Sequence, residues 1–167
     1  LHGADYTPIS DRIEAGTLMV AAAVTGGDVR LSGVHNSHLR PVSLKLAEAG
    51  AEIFPYPGGV RVCGRSLKPM SIVSSPFPGF PTDLQAPFTT VMTQAQGNSS
   101  VHETMYDGRL KYAEELAKMG ARIDVSGSGR TAMVHGPTPL HAAHVCALDI
   151  RSGAALVLAA LAAEGET

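Results

Sequence analysis

The chain has 167 residues, of which 44% are hydrophobic and 17% charged, with a formal net charge of -2. That length supports one domain with a substantial core, and the apolar fraction is what a folded interior needs to offset chain entropy. Mild acidity with no run of Lys or Arg provides no basic field, which excludes nucleic acid and acidic membranes as expected partners.

Three segments share one pattern in chain order, an Asp followed by a small-residue apolar helix that closes on Gly: 11–26, 83–97 and 149–165. Their starts are 72 and then 66 residues apart. After the first helix the periodicity predicts a strand over 28–32, a helix over 38–49, strands over 51–56 and 60–62 around Pro57-Gly58-Gly59, and a strand over 68–74. The second unit repeats this with a strand over 99–103, a helix over 109–118, and strands over 122–125, 131–134 and 144–148. Leu46-Ala47-Glu48-Ala49-Gly50-Ala51-Glu52-Ile53 matches Leu116-Ala117-Lys118-Met119-Gly120-Ala121-Arg122-Ile123 at an offset of 70, with Gly50 and Gly120 where a left-handed helix terminus wants glycine.

The expected fold is therefore α/β (α+β), built from helix-strand-helix-strand-strand-strand units in one domain over 1–167. Repeat one covers about 11–75, repeat two about 83–148, and an incomplete third repeat begins at 149–167. The apolar run 153–163 is too short for a bilayer span and is expected to be a core helix. Cys63 and Cys146 lack metal or redox spacing and no signal peptide is recognisable, so both are read as reduced, buried and cytoplasmic, in predicted strands.

Asp11, Asp83 and Asp149 each stand at a helix start, where capping is the ordinary role of an Asp. Asp11-x-x-Glu14 has the capping-box pattern. Thr82-x-x-Gln85 has it too, which would leave Asp83 free to point elsewhere, carried by the stiff loop Pro76-Phe77-Pro78-Gly79-Phe80-Pro81. A carboxylate so held is a candidate general base. Arg12 and Arg151 sit in first turns, where a cation opposes the helix dipole by about 0.3–1 kcal/mol, and Arg109 follows a turn at another helix start. If the three converged they would form a phosphate or carboxylate pocket; the ordinary alternative for each is a solvated or locally paired arginine. His35-x-x-His38 and His141-x-x-His144-x-Cys146 lack a completing ligand set, so no metal is expected, and no Gly-rich phosphate loop or nucleophile elbow occurs.

The segments Asp11-Arg12-Ile13-Glu14-Ala15-Gly16-Thr17, Phe80-Pro81-Thr82-Asp83-Leu84-Gln85, Glu103-Thr104-Met105-Tyr106-Asp107-Gly108-Arg109 and Asp149-Ile150-Arg151-Ser152-Gly153-Ala154-Ala155 resemble the UDP-N-acetylglucosamine 1-carboxyvinyltransferases of peptidoglycan synthesis. The resemblance runs from about Asp5 to Thr167 in the family's order and near its spacing. It implies an inverse α/β prism lobe, one of a pair with substrates in the cleft between them, in a cytoplasmic transferase of cell-wall synthesis. The implied reaction moves the enolpyruvyl group of phosphoenolpyruvate to the 3-hydroxyl of UDP-N-acetylglucosamine and releases phosphate by addition and elimination, with no metal or organic cofactor.

By matching motifs, Asp83 is implied to bond the sugar hydroxyl and act as base, with Thr82 beside that substrate and Met105 contacting the nucleotide sugar through its backbone. Arg109 and Arg151 match arginines associated with the phosphoenolpyruvate anion and cleft closure; Arg12 and Glu14 are secondary candidates. Two departures count. Gly108 stands where the family usually has Asn, which implies a more flexible loop. The other lobe's Lys-Asn pair and reactive Cys loop have no counterpart here, nor does the last arginine segment, so the missing lobe is expected in the same or another chain and this chain alone is expected to be inactive. The alternatives are a 3-phosphoshikimate 1-carboxyvinyltransferase, which shares the repeat fold but differs at Phe80-Pro81-Thr82-Asp83-Leu84-Gln85, and a non-catalytic nucleotide-sugar-binding module.

Overall fold

The computed structural model describes residues 1–167 and builds its core from three helices. Helix α1 (Arg12–Thr25) begins where the extended Asp11 accepts the free N–H groups of Ile13 and Glu14, and ends at Gly26, whose φ of 66° suits a residue without a Cβ. Helix α3 (Gln85–Gln94) is buried from Gln85 to Thr93, because it lies between α1 and α5 (Ile150–Ala162) and packs on both. Phe88, Met19, Leu84 and Met92 are fully buried there, each contributing about 1.5–3 kcal/mol. No buried side-chain nitrogen or oxygen lacks a hydrogen-bond partner. No helix is long and apolar enough to cross a membrane.

Two sheets lie over these helices. Strands β1 (Asp28–Ser32), β2 (Glu52–Tyr56) and β3 (Gly59–Cys63) form an antiparallel sheet in the order β1-β3-β2, against which α2 (Arg40–Glu48) packs through β2. Strands β4 (Ser71–Val73), β5 (Asn98–His102), β6 (Ile123–Val125) and β7 (Thr131–His135) form the second, in the order β4-β5-β7-β6, with α4 (Tyr112–Lys118) beside β6. β4 pairs in parallel with β5. In space, the second unit therefore begins one strand earlier than the helix starts suggest.

The repeat is visible in how backbones approach each other. A Cβ on Gly64 would meet the Ala22 carbonyl and Gly26, and one on Gly136 would meet the carbonyls of Met92 and Ala95. Each glycine lies against the C-terminal end of its unit's first helix, and each donates to the glycine that follows that helix, Gly64 to Gly27 at 2.7 Å and Gly136 to Gly97 at 3.2 Å. Gly50 and Gly120 take φ of 98° and 96° immediately after α2 and α4.

Several expectations are corrected. Residues 144–148 form no strand; the nearest pairing is an isolated parallel bridge from His141 to Glu164. Without a paired neighbour the backbone there is held by a side chain instead, the Glu115 carboxylate accepting from the Cys146 N–H at 2.9 Å. Cys146 is thus exposed and outside any strand, whereas Cys63 is buried at the end of β3, where burial pushes its thiol pKa up. Helices α3 and α5 close on Ala95 and Ala163, with Gly97 and Gly165 two residues further on at positive φ.

Candidate active site

The site starts from the loop over residues 75–81. Phe80 is buried edge-on against Phe88 of α3, with ring centroids 4.8 Å apart, and its carbonyl accepts from the Ser75 N–H at 2.9 Å. The loop is thereby tied at both ends. Pro81, extended, then turns the chain into a 3-10 turn, Thr82–Leu84, ahead of α3. Asp83 is in that turn and caps nothing; its carboxylate faces across to two arginines.

Arg109 Nη1 donates to Asp83 Oδ1 at 2.9 Å and Arg151 Nη1 to the same oxygen at 3.3 Å. Arg109 is at the start of a 3-10 turn, Arg109–Lys111, entered through Gly108 at φ 69°. That left-handed conformation suits Gly and, next best, Asn, which accounts for either residue at this point. The guanidinium of Arg109 also lies 4.1 Å from the centre of the Tyr106 ring and donates to Thr82 Oγ1 at 3.1 Å. Arg151 stands in the first turn of α5 against the dipole, and its second nitrogen donates to Asp149 Oδ2 at 3.0 Å. Asp149 and then Asp83 raise the pKa of Arg151 further above its ordinary value. Asp149 also makes the reciprocal capping box with Ser152 that anchors α5.

The Thr82–Gln85 capping box does not form. Both side chains turn inward to Glu103, a fully buried carboxylate at the end of β5. Its Oε2 accepts from Thr82 Oγ1 at 2.6 Å and Gln85 Nε2 at 3.0 Å; its Oε1 accepts from Ser74 Oγ at 2.8 Å and the N–H groups of Met105 and Tyr106 at 2.6 and 3.1 Å. Burial, the largest single influence, would push the Glu103 pKa up; the bonds from Thr82, Ser74, Met105 and Tyr106 together hold it below the usual carboxylate value. Behind Gln85, the buried Tyr112 hydroxyl donates to its Oε1 at 2.9 Å.

A concavity of about 410 Å³ opens beside this cluster, lined among others by Thr82, Arg109, Lys111, Leu148, Asp149 and Arg151. Three cations therefore face one hollow, with Asp107 in its wall drawn aside to Arg130 at 2.6 Å. Asp83 touches both arginines without lining the hollow, and Met105 is outside it, with its N–H committed to Glu103 and its side chain partly exposed.

The structure thus joins Thr82, Asp83, Arg109 and Arg151. Arg12 does not join them: its guanidinium lies 5.3 Å from the centre of the Phe77 ring. Glu14 lines a separate depression with Asp11. No three or more His, Cys, Asp or Glu side chains are placed together to hold a metal. Glu103 and Lys111 carried no role in the sequence reading and Gln85 only that of a capping-box partner, since nothing in their spacing indicates the convergence of the end of β4, the 82–84 turn and the 103–109 loop.

The family model for EPSP synthase (3-phosphoshikimate 1-carboxyvinyltransferase) matches residues 1–167. The chain is 47% identical over its whole length to UDP-N-acetylglucosamine 1-carboxyvinyltransferase 1 of Halalkalibacterium halodurans, and 50% identical to UDP-N-acetylglucosamine 1-carboxyvinyltransferase 3 of Symbiobacterium thermophilum. It spans 38% and 39% of those two relatives. Among solved structures it is similar to the enolpyruvyl transferase NikO from Streptomyces tendae, with a TM-score of 0.83 and 26% identity over 95% of this chain and 38% of that one. The EPSP synthase of Acinetobacter baumannii, at 16% identity and a TM-score of 0.73 over 96% of this chain and 38% of that one, shares the fold. The family match over residues 1–167 decides the assignment, and the fold shared with two solved structures accords with it: the chain belongs to the EPSP synthase (3-phosphoshikimate 1-carboxyvinyltransferase) family.

Proposed function

We propose that residues 1–167 form one lobe of a UDP-N-acetylglucosamine 1-carboxyvinyltransferase, with repeats at about 11–75 and 83–148 and a third beginning at 149, acting in the cytoplasm in peptidoglycan synthesis. The observation that carries the reading is the convergence of Arg109 and Arg151 on Asp83 at the edge of a hollow with net positive walls. Phosphoenolpyruvate, a compact anion, suits planar guanidinium forks and Lys111. Both arginines bond Asp83 Oδ1, so Oδ2 accepts the proton of the sugar 3-hydroxyl as the sugar oxygen bonds to C2 of phosphoenolpyruvate. The C2=C3 electron pair meanwhile takes up a proton at C3 from an acid on the second lobe, giving a tetrahedral adduct that still carries the phosphate. Elimination of phosphate, with loss of a proton from the adjacent carbon, restores the vinyl group. Thr82 lies beside the acceptor, and Met105, whose N–H is occupied, presents its backbone carbonyl to the nucleotide sugar. A second lobe, in the same chain or another, supplies the opposite wall of the site.

The family model's own name favours a second reading, transfer to 3-phosphoshikimate, whereas relatives at 47–50% identity carry the nucleotide-sugar name. Phosphate release by the full-length protein, measured with phosphoenolpyruvate and each acceptor in turn, decides between them. Release dependent on UDP-N-acetylglucosamine is expected. Release only with shikimate 3-phosphate selects the second reading; saturable nucleotide-sugar binding without release with either acceptor selects a binding module.

A further inference from the structure

Glu103 is the one fully buried carboxylate in the chain, and it touches neither the hollow nor Asp83. A buried carboxylate is costly unless its lone pairs are filled, and here five donors fill them. Those donors come from the residue after β4, Ser74, from the turn before α3 through Thr82, from the first residue of α3, Gln85, and from the loop to Arg109 through the Met105 and Tyr106 N–H groups.

The polarity of the set follows from the charge. A carboxylate only accepts, so the Thr82 hydroxyl must give it its proton and can offer Arg109 only a lone pair. Arg109 Nη1 takes that lone pair at 3.1 Å and Asp83 Oδ1 at 2.9 Å. The amide of Gln85 is oriented the same way, nitrogen toward Glu103 and oxygen toward Tyr112.

We infer that Glu103 is a positioning residue for the transfer site: through Thr82 it sets where Arg109 meets Asp83, and through two backbone bonds it holds the Met105–Tyr106 segment. This rests on the reading of Asp83 and Arg109 as the reacting site, and it assigns a role to a side chain that no substrate touches.

Glu103→Gln is nearly isosteric and separates the two halves. The Met105 and Tyr106 N–H groups cannot reverse, so the single amide oxygen serves them and the new NH2 group faces Thr82 and Gln85, where a charged acceptor stood. In the full-length protein, Glu103→Gln and Thr82→Val are each expected to lower kcat/KM roughly tenfold or more through misplacement of Arg109. The double variant should be no worse than Glu103→Gln alone, because both break one link. Losses that multiply, or an unchanged kcat/KM with a lowered melting temperature, overturn the inference. Hydrogen exchange in the ligand-free protein needs no turnover: loss of the charge should speed exchange of the Met105 and Tyr106 amides about tenfold while the other segments stay as they were. Unchanged exchange there overturns it too. A wild-type protein that turns over neither acceptor would refute the functional reading and leave the exchange result to decide on Glu103.

Discussion

Arg109 and Arg151, 42 positions apart on different elements, donate to one and the same oxygen of Asp83. Two cations on Oδ1 hold the carboxylate plane and leave Oδ2 to a third partner. Asp83 is 40% exposed and Arg151 38%, so that pair is well screened and contributes within about 1 kcal/mol to folding, whereas Arg109 is 17% exposed and its pair with Asp83 is screened from the Asp83 side alone.

Asp83→Asn should therefore leave the unfolding midpoint of the full-length protein nearly where it was, while lowering turnover by roughly two to four orders of magnitude, the usual worth of a positioned base. Thermal melts and initial rates of phosphate release check both halves. A variant that keeps its rate makes Asp83 a structural residue.

Arg109→Lys retains the charge and loses the fork. A single ammonium cannot reach Thr82 and Asp83 while also standing over the Tyr106 ring, as the guanidinium does. The expected result is a rise of about tenfold in the KM for phosphoenolpyruvate, with a smaller change for the acceptor. Equal changes for both substrates would place Arg109 outside the phosphoenolpyruvate subsite.

What could be read from the sequence was local. The Asp11 cap, the glycines at 50 and 120, the strand over 28–32 and the offset pairing of the units depend on neighbours a few residues away or on self-similarity. Thr82 and Gln85 had the spacing of a capping box, but each bonds instead to a carboxylate 21 or 18 positions downstream, and a buried ion outcompetes the helix end for both. Residues 144–148 look strand-like in composition, yet a strand needs a paired neighbour, and here the backbone finds Glu115. Glu103 itself reads as an ordinary acidic residue at a strand end until the fold closes around it.

Two glycines test the repeat. A methyl at Gly136 would strike the carbonyls of Met92 and Ala95, and one at Gly64 that of Ala22, all backbone atoms that cannot rotate away. Gly136→Ala and Gly64→Ala should each destabilise the lobe by about 1–3 kcal/mol or more. Gly129→Ala is the control: its Cβ would meet nothing within 4 Å, and the only cost is a φ of 67°, about 1–2 kcal/mol. Denaturant unfolding that ranks Gly129→Ala as the most damaging of the three would mean that the close approaches do not hold in solution.

Acid should loosen the start of α5 through Asp149. Its pKa lies below the ordinary aspartate value of 3.8, first because the Ser152 N–H bonds the carboxylate and further because Arg151 does, against an opposing effect of burial. A depressed folded-state value contributes stability that is fully present above 3.8 and is lost as the pH falls through the lower, folded value, because the unfolded chain takes up the proton first. Asp149→Asn keeps a capping side chain but has no proton to gain. The variant should begin less stable than wild type at neutral pH and lose less on acidification, so that the two stability curves converge below the unfolded value. If the gap between them is the same at every pH, Asp149 acts as a cap alone and its charge toward Arg151 contributes nothing to the fold.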